Sequence, residues 1–194
     1  NTNGCDINDI IFSNLKFNIT DGTNYGTIIS DTSGNYSISV QSGNSTITPI
    51  IENPTYFNIS PPSFFANFSV QTSPITQNFC ITPNGVHHDV EVTFIPINPA
   101  RAGFDANYTV IYKNKGNQVQ SGSVILNFND AVLDYVSAIP VINNQVTDKL
   151  TWDYINLQPL ETRKITVTLN VNSPMETPAV NIGDRLSFNA LINP

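Results

Sequence analysis

The residues of this chain that could do chemistry are few and widely spaced. Asn1, Asn3, Asp6 and Asp9 surround Gly4, and a hard cation such as calcium takes several oxygen ligands from alternating positions around a sharp glycine turn. The pattern is incomplete, because the carboxylate expected three places after Gly4 is replaced by Ile7. The competing reading is a polar loop of Asx turns. Cys5 and Cys80 are the two cysteines. An even count at wide spacing fits one disulfide in an oxidising compartment, and closing so long a loop stabilises by about 4–5 kcal/mol in the chain-entropy view. The alternative is two buried thiols.

His87 and His88, the two histidines, are adjacent and precede Asp89. Neighbours on a strand face opposite ways, so they are poorly placed to share one ion. They read as part of a solvated connection. Nucleophilic catalysis finds no G-x-S-x-G elbow. Glycoside hydrolysis needs two facing carboxylates, and the glutamates are only Glu52, Glu91, Glu161 and Glu176, none in a conspicuously apolar setting. The chain reads as no enzyme, with no cofactor unless calcium binds. Carbohydrate binding would use exposed rings, and Tyr56, Phe57 and Phe65, close to Pro61-Pro62, are the ligand-facing candidates. Against that, Phe57, Phe64 and Phe68 would serve equally to fill a core. Gly103, Gly116 and Gly122 sit where strand ends are expected, which leads to positive φ at each.

The elements that must position these residues are strands. The chain has 194 residues, 40% of them hydrophobic, with only 12% charged against a globular norm of roughly 25%. The polar share is taken by Asn, Thr and Ser, which compete with the helical backbone for hydrogen bonds and favour turns. Net charge is −7 without a run of Lys or Arg, which argues against nucleic acid as a partner. No apolar run is long enough for a membrane-spanning helix. The chain opens at Asn1 inside what reads as a motif, and is expected to be a mature or excised piece of a secreted protein.

Period-2 alternation predicts strands at Leu15–Ile19, Tyr36–Val40, Phe64–Val70, Val90–Phe94, Phe104–Tyr112, Val124–Phe128, Leu150–Tyr154, Ile165–Val171 and Leu186–Ile192. Asp130–Ser137 alone suggests a helical turn. Trp152 is in phase with Leu150 and Tyr154 and is expected between two sheets. The fold class is all-β: two antiparallel β-sandwiches in tandem, over 1–82 and 88–194, with 83–87 as linker.

Two motifs carry a resemblance. Asp31-Thr32-Ser33-Gly34-Asn35-Tyr36, followed by Gly43, resembles the signature of carboxypeptidase-regulatory-like (prealbumin-like) modules. The stretch Asn1 to Asp9 is similar to the calcium loop that opens related B-type repeats of bacterial adhesins. In the second half, Tyr108 to Asn117 and Leu150-Thr151-Trp152 through Arg163 resemble an Ig-like repeat domain of bacterial surface proteins. The pairing resembles large proteins exported by the type IX secretion system of the Bacteroidota. The resemblance implies a secreted, cell-surface location and a structural, spacer or adhesin role, with neighbouring domains of the same protein as partners. The rival expectation is a module that binds surface glycan or protein for a larger secreted enzyme or adhesin.

Overall fold

A computed structural model describes residues 11–194. Every paired strand among them is antiparallel, none of these residues is helical, and the chain divides into two compact units, Asn1–His87 and His88–Pro194. The all-β sandwich architecture expected from alternation is thus the architecture of the molecule.

The first unit has a four-stranded sheet in the order β2-β1-β3-β5, made of β1 (Lys16–Thr20), β2 (Tyr25–Ile29), β3 (Asn44–Ile50) and β5 (Phe64–Asn67). A two-stranded ribbon, β4 (Phe57–Ser60) with β6 (Cys80–Pro83), completes it. Leu15, Phe17 and Ile47 are its buried centre, with Tyr36, Ile38, Phe64, Phe79 and Ile81 packed around them. The turn before β2 is closed by Asp21, whose carboxylate accepts from the backbone N–H groups of Thr23 (2.8 Å) and Asn24 (2.6 Å).

Three sequence expectations change here. Tyr36–Val40 joins no ladder among the described residues. The reason lies just upstream, where the Asp31 carboxylate accepts from Ser33 and Asn35 N–H and folds the chain into a tight turn at Gly34 (φ 74°). The alternation still works. Tyr36 packs its ring 4.4 Å from that of Phe17, and its hydroxyl donates to the Gln77 carbonyl at 2.6 Å. Phe64–Val70 is cut short at Asn67, whose carbonyl and side chain bond Gln71 and Ser69 N–H and turn the chain. Ile81-Thr82-Pro83 is strand β6, with Ser60 opposite Cys80 and Phe57 opposite Pro83.

The second unit is a two-sheet sandwich. One sheet runs β10-β13-β8-β7 and the other β11-β12-β9-β14. The strands are β7 (Val90–Pro96), β8 (Asp105–Asn114), β9 (Gln120–Phe128), β10 (Leu133–Ile139), β11 (Asn144–Val146), β12 (Lys149–Leu157), β13 (Thr162–Val171) and β14 (Phe188–Asn193). Alternation on β8, β12 and β13 puts Val110, Leu150, Ile165, Val167 and Leu169 wholly inside, in one core with Val124 and Leu126 of β9. β-Branched and aromatic residues suit such a half-buried pleated surface. Trp152 lies between the sheets at 2% exposure, its indole N–H donating to the Pro140 carbonyl at 3.1 Å.

The expected helical turn over 130–137 is instead a turn followed by β10, which pairs with β13. The Asn129 side chain accepts from Ala131 N–H, and Asp130 and Asp148 each accept the other's backbone N–H at 2.9 Å. Of the three glycines expected at positive φ, Gly103 has it (80°) and Gly116 and Gly122 do not. Gly122 lies within β9, where an added Cβ would stand 2.0 Å from the Asn193 carbonyl oxygen. Close approach of another backbone, rather than turn geometry, demands glycine there.

Asn114 joins the two sheets. It is fully buried, and its amide donates to the carbonyls of Gln118 (2.7 Å) and of Leu157 on β12 (3.0 Å), while its side-chain oxygen accepts from Gly116 N–H (3.0 Å). Its own backbone bonds Glu161 and Leu160 across the turn that enters β13. An interior polar group left without a partner costs about 1–3 kcal/mol, so Asn114→Ala is expected to destabilise the second unit by about 3 kcal/mol or more. A fall in urea midpoint at unchanged slope checks this; a midpoint equal to that of the unmodified chain contradicts it.

Candidate functional site

Among the described residues of the first unit, those expected to do chemistry are not brought into one site. Asn1, Asn3, Cys5, Asp6 and Asp9 lie outside the described residues. No described cysteine is a free thiol, and Cys80 stands half-buried on β6. The aromatic trio separates. Phe57 begins β4 facing inward at 6% exposure, so it belongs to the interior and cannot meet a ligand. Tyr56, the residue before it, stacks on His87 with ring centroids 4.0 Å apart and planes 7° from parallel. Phe65 is 59% exposed, on β5 of the other sheet. These three rings do not form one platform: Phe57 is interior, Tyr56 is stacked on His87, and Phe65 belongs to the other sheet. His88 Nδ1, in the second unit, stands 2.6 Å from the Gln120 amide nitrogen.

A concave site exists elsewhere, within the second unit. A cavity of about 800 Å³ opens where the β7–β8 and β13–β14 connections leave the sandwich. Its inner wall is aromatic. Phe94 of β7, Tyr108 of β8 and Phe188 of β14 pack with centroids 4.7–5.1 Å apart. Val171, Val180 and Leu186 extend the apolar lining, and Pro96, Pro99 and Pro174 edge it. Among the lining residues Arg101 is the sole cation and Asp184 the sole carboxylate, and both are exposed.

The loops that shape this cavity are held by side chains. Asn98 accepts from Asn107 N–H at 2.6 Å and fixes the β7–β8 connection to β8. Asn172, buried, donates to the carbonyls of Ala131 (3.0 Å) and Pro178 (2.9 Å), which pins the longer connection at its root. Asp184 accepts from Asn181 N–H at 2.7 Å, closing a tight lip that presents Ile182 to solvent. Gly103 takes φ 80° with its N–H on the Val171 carbonyl at 2.8 Å, and a Cβ there would press on Ser173. Concave sites with apolar walls and few polar groups, largely preformed, are the usual form of small-molecule sites, at about 300–1,000 Å³.

One atom of Tyr108 is unusual. Tyr108 is 2% exposed, yet its hydroxyl has no hydrogen-bond partner among the described residues. Burial pushes its pKa above the ordinary tyrosine value, so it stays a neutral phenol. Buried tyrosine hydroxyls normally find a partner; Tyr36 has the Gln77 carbonyl and Tyr154 the Asn193 carbonyl. Nothing in spacing marks Tyr108 out, since it alternates like any interior residue of β8. The one available signal is the long, proline-bearing connection between β13 and β14, because long structured loops often shape binding sites.

The charged groups displaced from their ordinary titration are otherwise engaged. Hydrogen bonds from Asn24 and Thr23 hold the Asp21 carboxyl at about 2. Burial opposes ionisation of Glu161, but Arg163 and Gln158 N–H outweigh it and hold the carboxyl below its usual value. Arg163 also spans to the carbonyls of Ile155 and Asn156, both at 3.0 Å. Ser173 holds the exposed Glu176 carboxyl below its usual value. No cluster of three or more His, Cys, Asp or Glu suited to a metal occurs among the described residues. Compared with protein-family models and with curated proteins, the chain matches none.

Because the Tyr108 hydroxyl has no internal partner to lose, Tyr108→Phe is expected to leave the second unit as stable or up to about 1 kcal/mol more stable. Thermal melting checks this. A loss of several degrees would show that the hydroxyl is bonded in the ligand-free protein.

Proposed function

We propose that the chain is a non-catalytic pair of sandwich modules from a secreted bacterial cell-surface protein, which spaces or presents neighbouring domains. The observation that carries the reading is where the polar chemistry goes. Asp21, Asp31, Glu161, Arg163, Asn114 and Asn172 all spend their donors or acceptors on backbone groups of their own unit. Catalysis needs titratable groups free to act on something else. Side chains committed to turns and sheet ends instead resist distortion, which is what a spacer requires. The resemblance to carboxypeptidase-regulatory-like and Ig-like repeats points the same way, and with it an extracellular location, adhesion as the wider role, and type IX secretion as the route.

On this reading Cys5 and Cys80 form a disulfide that closes the first unit, and Asn1, Asn3, Asp6 and Asp9 take up calcium. Single-molecule stretching of the chain between its ends is expected to give two separate unfolding events, one per unit. Extension without measurable resistance from either unit would sink the spacer reading.

The cation is tested apart from the spacer role. Millimolar calcium is expected to raise the melting temperature of the first unit, an effect lost in Asp6→Asn/Asp9→Asn. Identical melting in calcium and in chelator removes calcium from the proposal and leaves the spacer reading standing.

A further inference from the structure

The outer face of the first unit's larger sheet goes beyond the spacer reading, because it carries rings that the unit's own core does not use. Directly opposed residues of neighbouring strands share a face, so rows can be read across the sheet. Tyr25 of β2 stands opposite Thr20 of β1, Thr20 opposite Thr46 of β3, and Thr46 opposite Phe65 of β5. The next row is Thr27, Asn18 and Thr48, and the one beyond it Ile29, Lys16 and Ile50. This is the solvent side, since the alternating residues Phe17 and Ile47 are buried on the inner one. Among the described residues the exposed aromatic side chains are Tyr25, Phe65 and Phe104, and two of these three lie in the one row. Tyr25 is 82% exposed, so its ring contributes little to folding. Three inter-strand steps separate it from Phe65, about 14 Å.

Between the rings the face is polar. Thr20 serves its own turn, donating to the Asn24 carbonyl at 2.8 Å. The Asn18 side-chain oxygen accepts from Thr27 at 3.3 Å, which leaves its amide N–H groups toward solvent beside the Thr46 and Thr48 hydroxyls. The three rows hold no carboxylate, although the chain carries a net charge of −7, and their one cation, Lys16, lies in the row farthest from the rings. A protein interface is apolar at its centre and polar at its rim; here that order is reversed. The complement of such a face is a neutral molecule with apolar faces and a hydroxyl edge. A pyranose ring is built that way, with C–H groups on its face and hydroxyls around it. We propose that this face binds a neutral linear oligosaccharide laid across the strands. Its sugar rings stack on Tyr25 and Phe65, and its hydroxyls bond Thr46 and, one row along, Asn18 and Thr48. A single sugar reaches one ring; a chain reaches both.

The test is calorimetric titration of the full chain with soluble oligosaccharides of cellulose, laminarin, xylan, mannan and amylose, each paired with its own monosaccharide. At least one oligosaccharide is expected to bind saturably, and roughly tenfold or more tightly than its monosaccharide, the worth of a second aromatic contact. Tyr25→Ala and Phe65→Ala are each expected to weaken that binding by roughly the same factor. Both side chains are exposed, so melting is expected to be unchanged in either variant; should one fail to fold, the other carries the test. Absence of binding across the panel, equal binding of the monosaccharide, or affinity indifferent to both substitutions each overturns the proposal. None of these outcomes bears on the stretching experiment, so the spacer reading is decided separately.

Discussion

The buried amide of Asn114 is the constraint on which the second unit depends. It sits at the end of β8, in one sheet, and bonds the Leu157 carbonyl at the end of β12, in the other. In the same place its backbone receives and gives bonds to the turn that starts β13. Two hydrophobic sheets stacked face to face can slide, because burial of apolar surface is not directional. A fully bonded polar group between them cannot slide without breaking several bonds in a water-poor interior. The register of β13 against β8, from Thr162 opposite Lys113 to Asn170 opposite Asp105, begins at this point. The unusual left-handed backbone of Leu160 (φ 65°) is held there by its N–H on the Asn114 carbonyl.

Asn172 plays the matching part at the other end of β13. Between them the two residues fix where the strand begins and ends. The space around Tyr108, Val171 and Phe188 follows from this arrangement: a connection anchored at Asn172 and at the Asn181–Asp184 lip is held off the aromatic wall instead of collapsing onto it. Void and rigidity share one cause.

Much of this was legible in the residues and some was not. Alternation gave six of the eight strands of the second unit, all but β10 and β11, and the inward place of Trp152, because side-chain period and burial are the same fact on a half-buried strand. It misjudged 36–40 and 130–137, where Asp31 and Asn129 turn the chain with their own side chains, a local competition that hydrophobic pattern does not register. It gave no strand at 80–83 and counted Pro83 as linker, since a short ribbon such as β4–β6 offers too few residues to show a period. The ring candidates diverge because Phe57 turns inward at the start of β4, while Tyr56, in the bend before that strand, stacks on His87. The cavity was invisible. Its wall is made of residues that look like ordinary core, and only their meeting with two anchored loops leaves space beside them.

The amide staples carry a consequence for the conditions in which such a molecule works. Asn114, Asn172 and Asn98 do not ionise, so the bonds they make to backbone groups neither weaken in brine nor titrate with acid. Salt screens charges at the surface but has little purchase on a neutral amide in the interior. The acid-sensitive support is small and local: Asp21, Glu161 and Glu176 have folded pKa values below their ordinary ones. Their contribution is present above the unfolded values near 4 and fades as pH falls through the lower folded ones. A chain with so few charges has built its framework from the polar groups that an environment of changing salinity and acidity disturbs least.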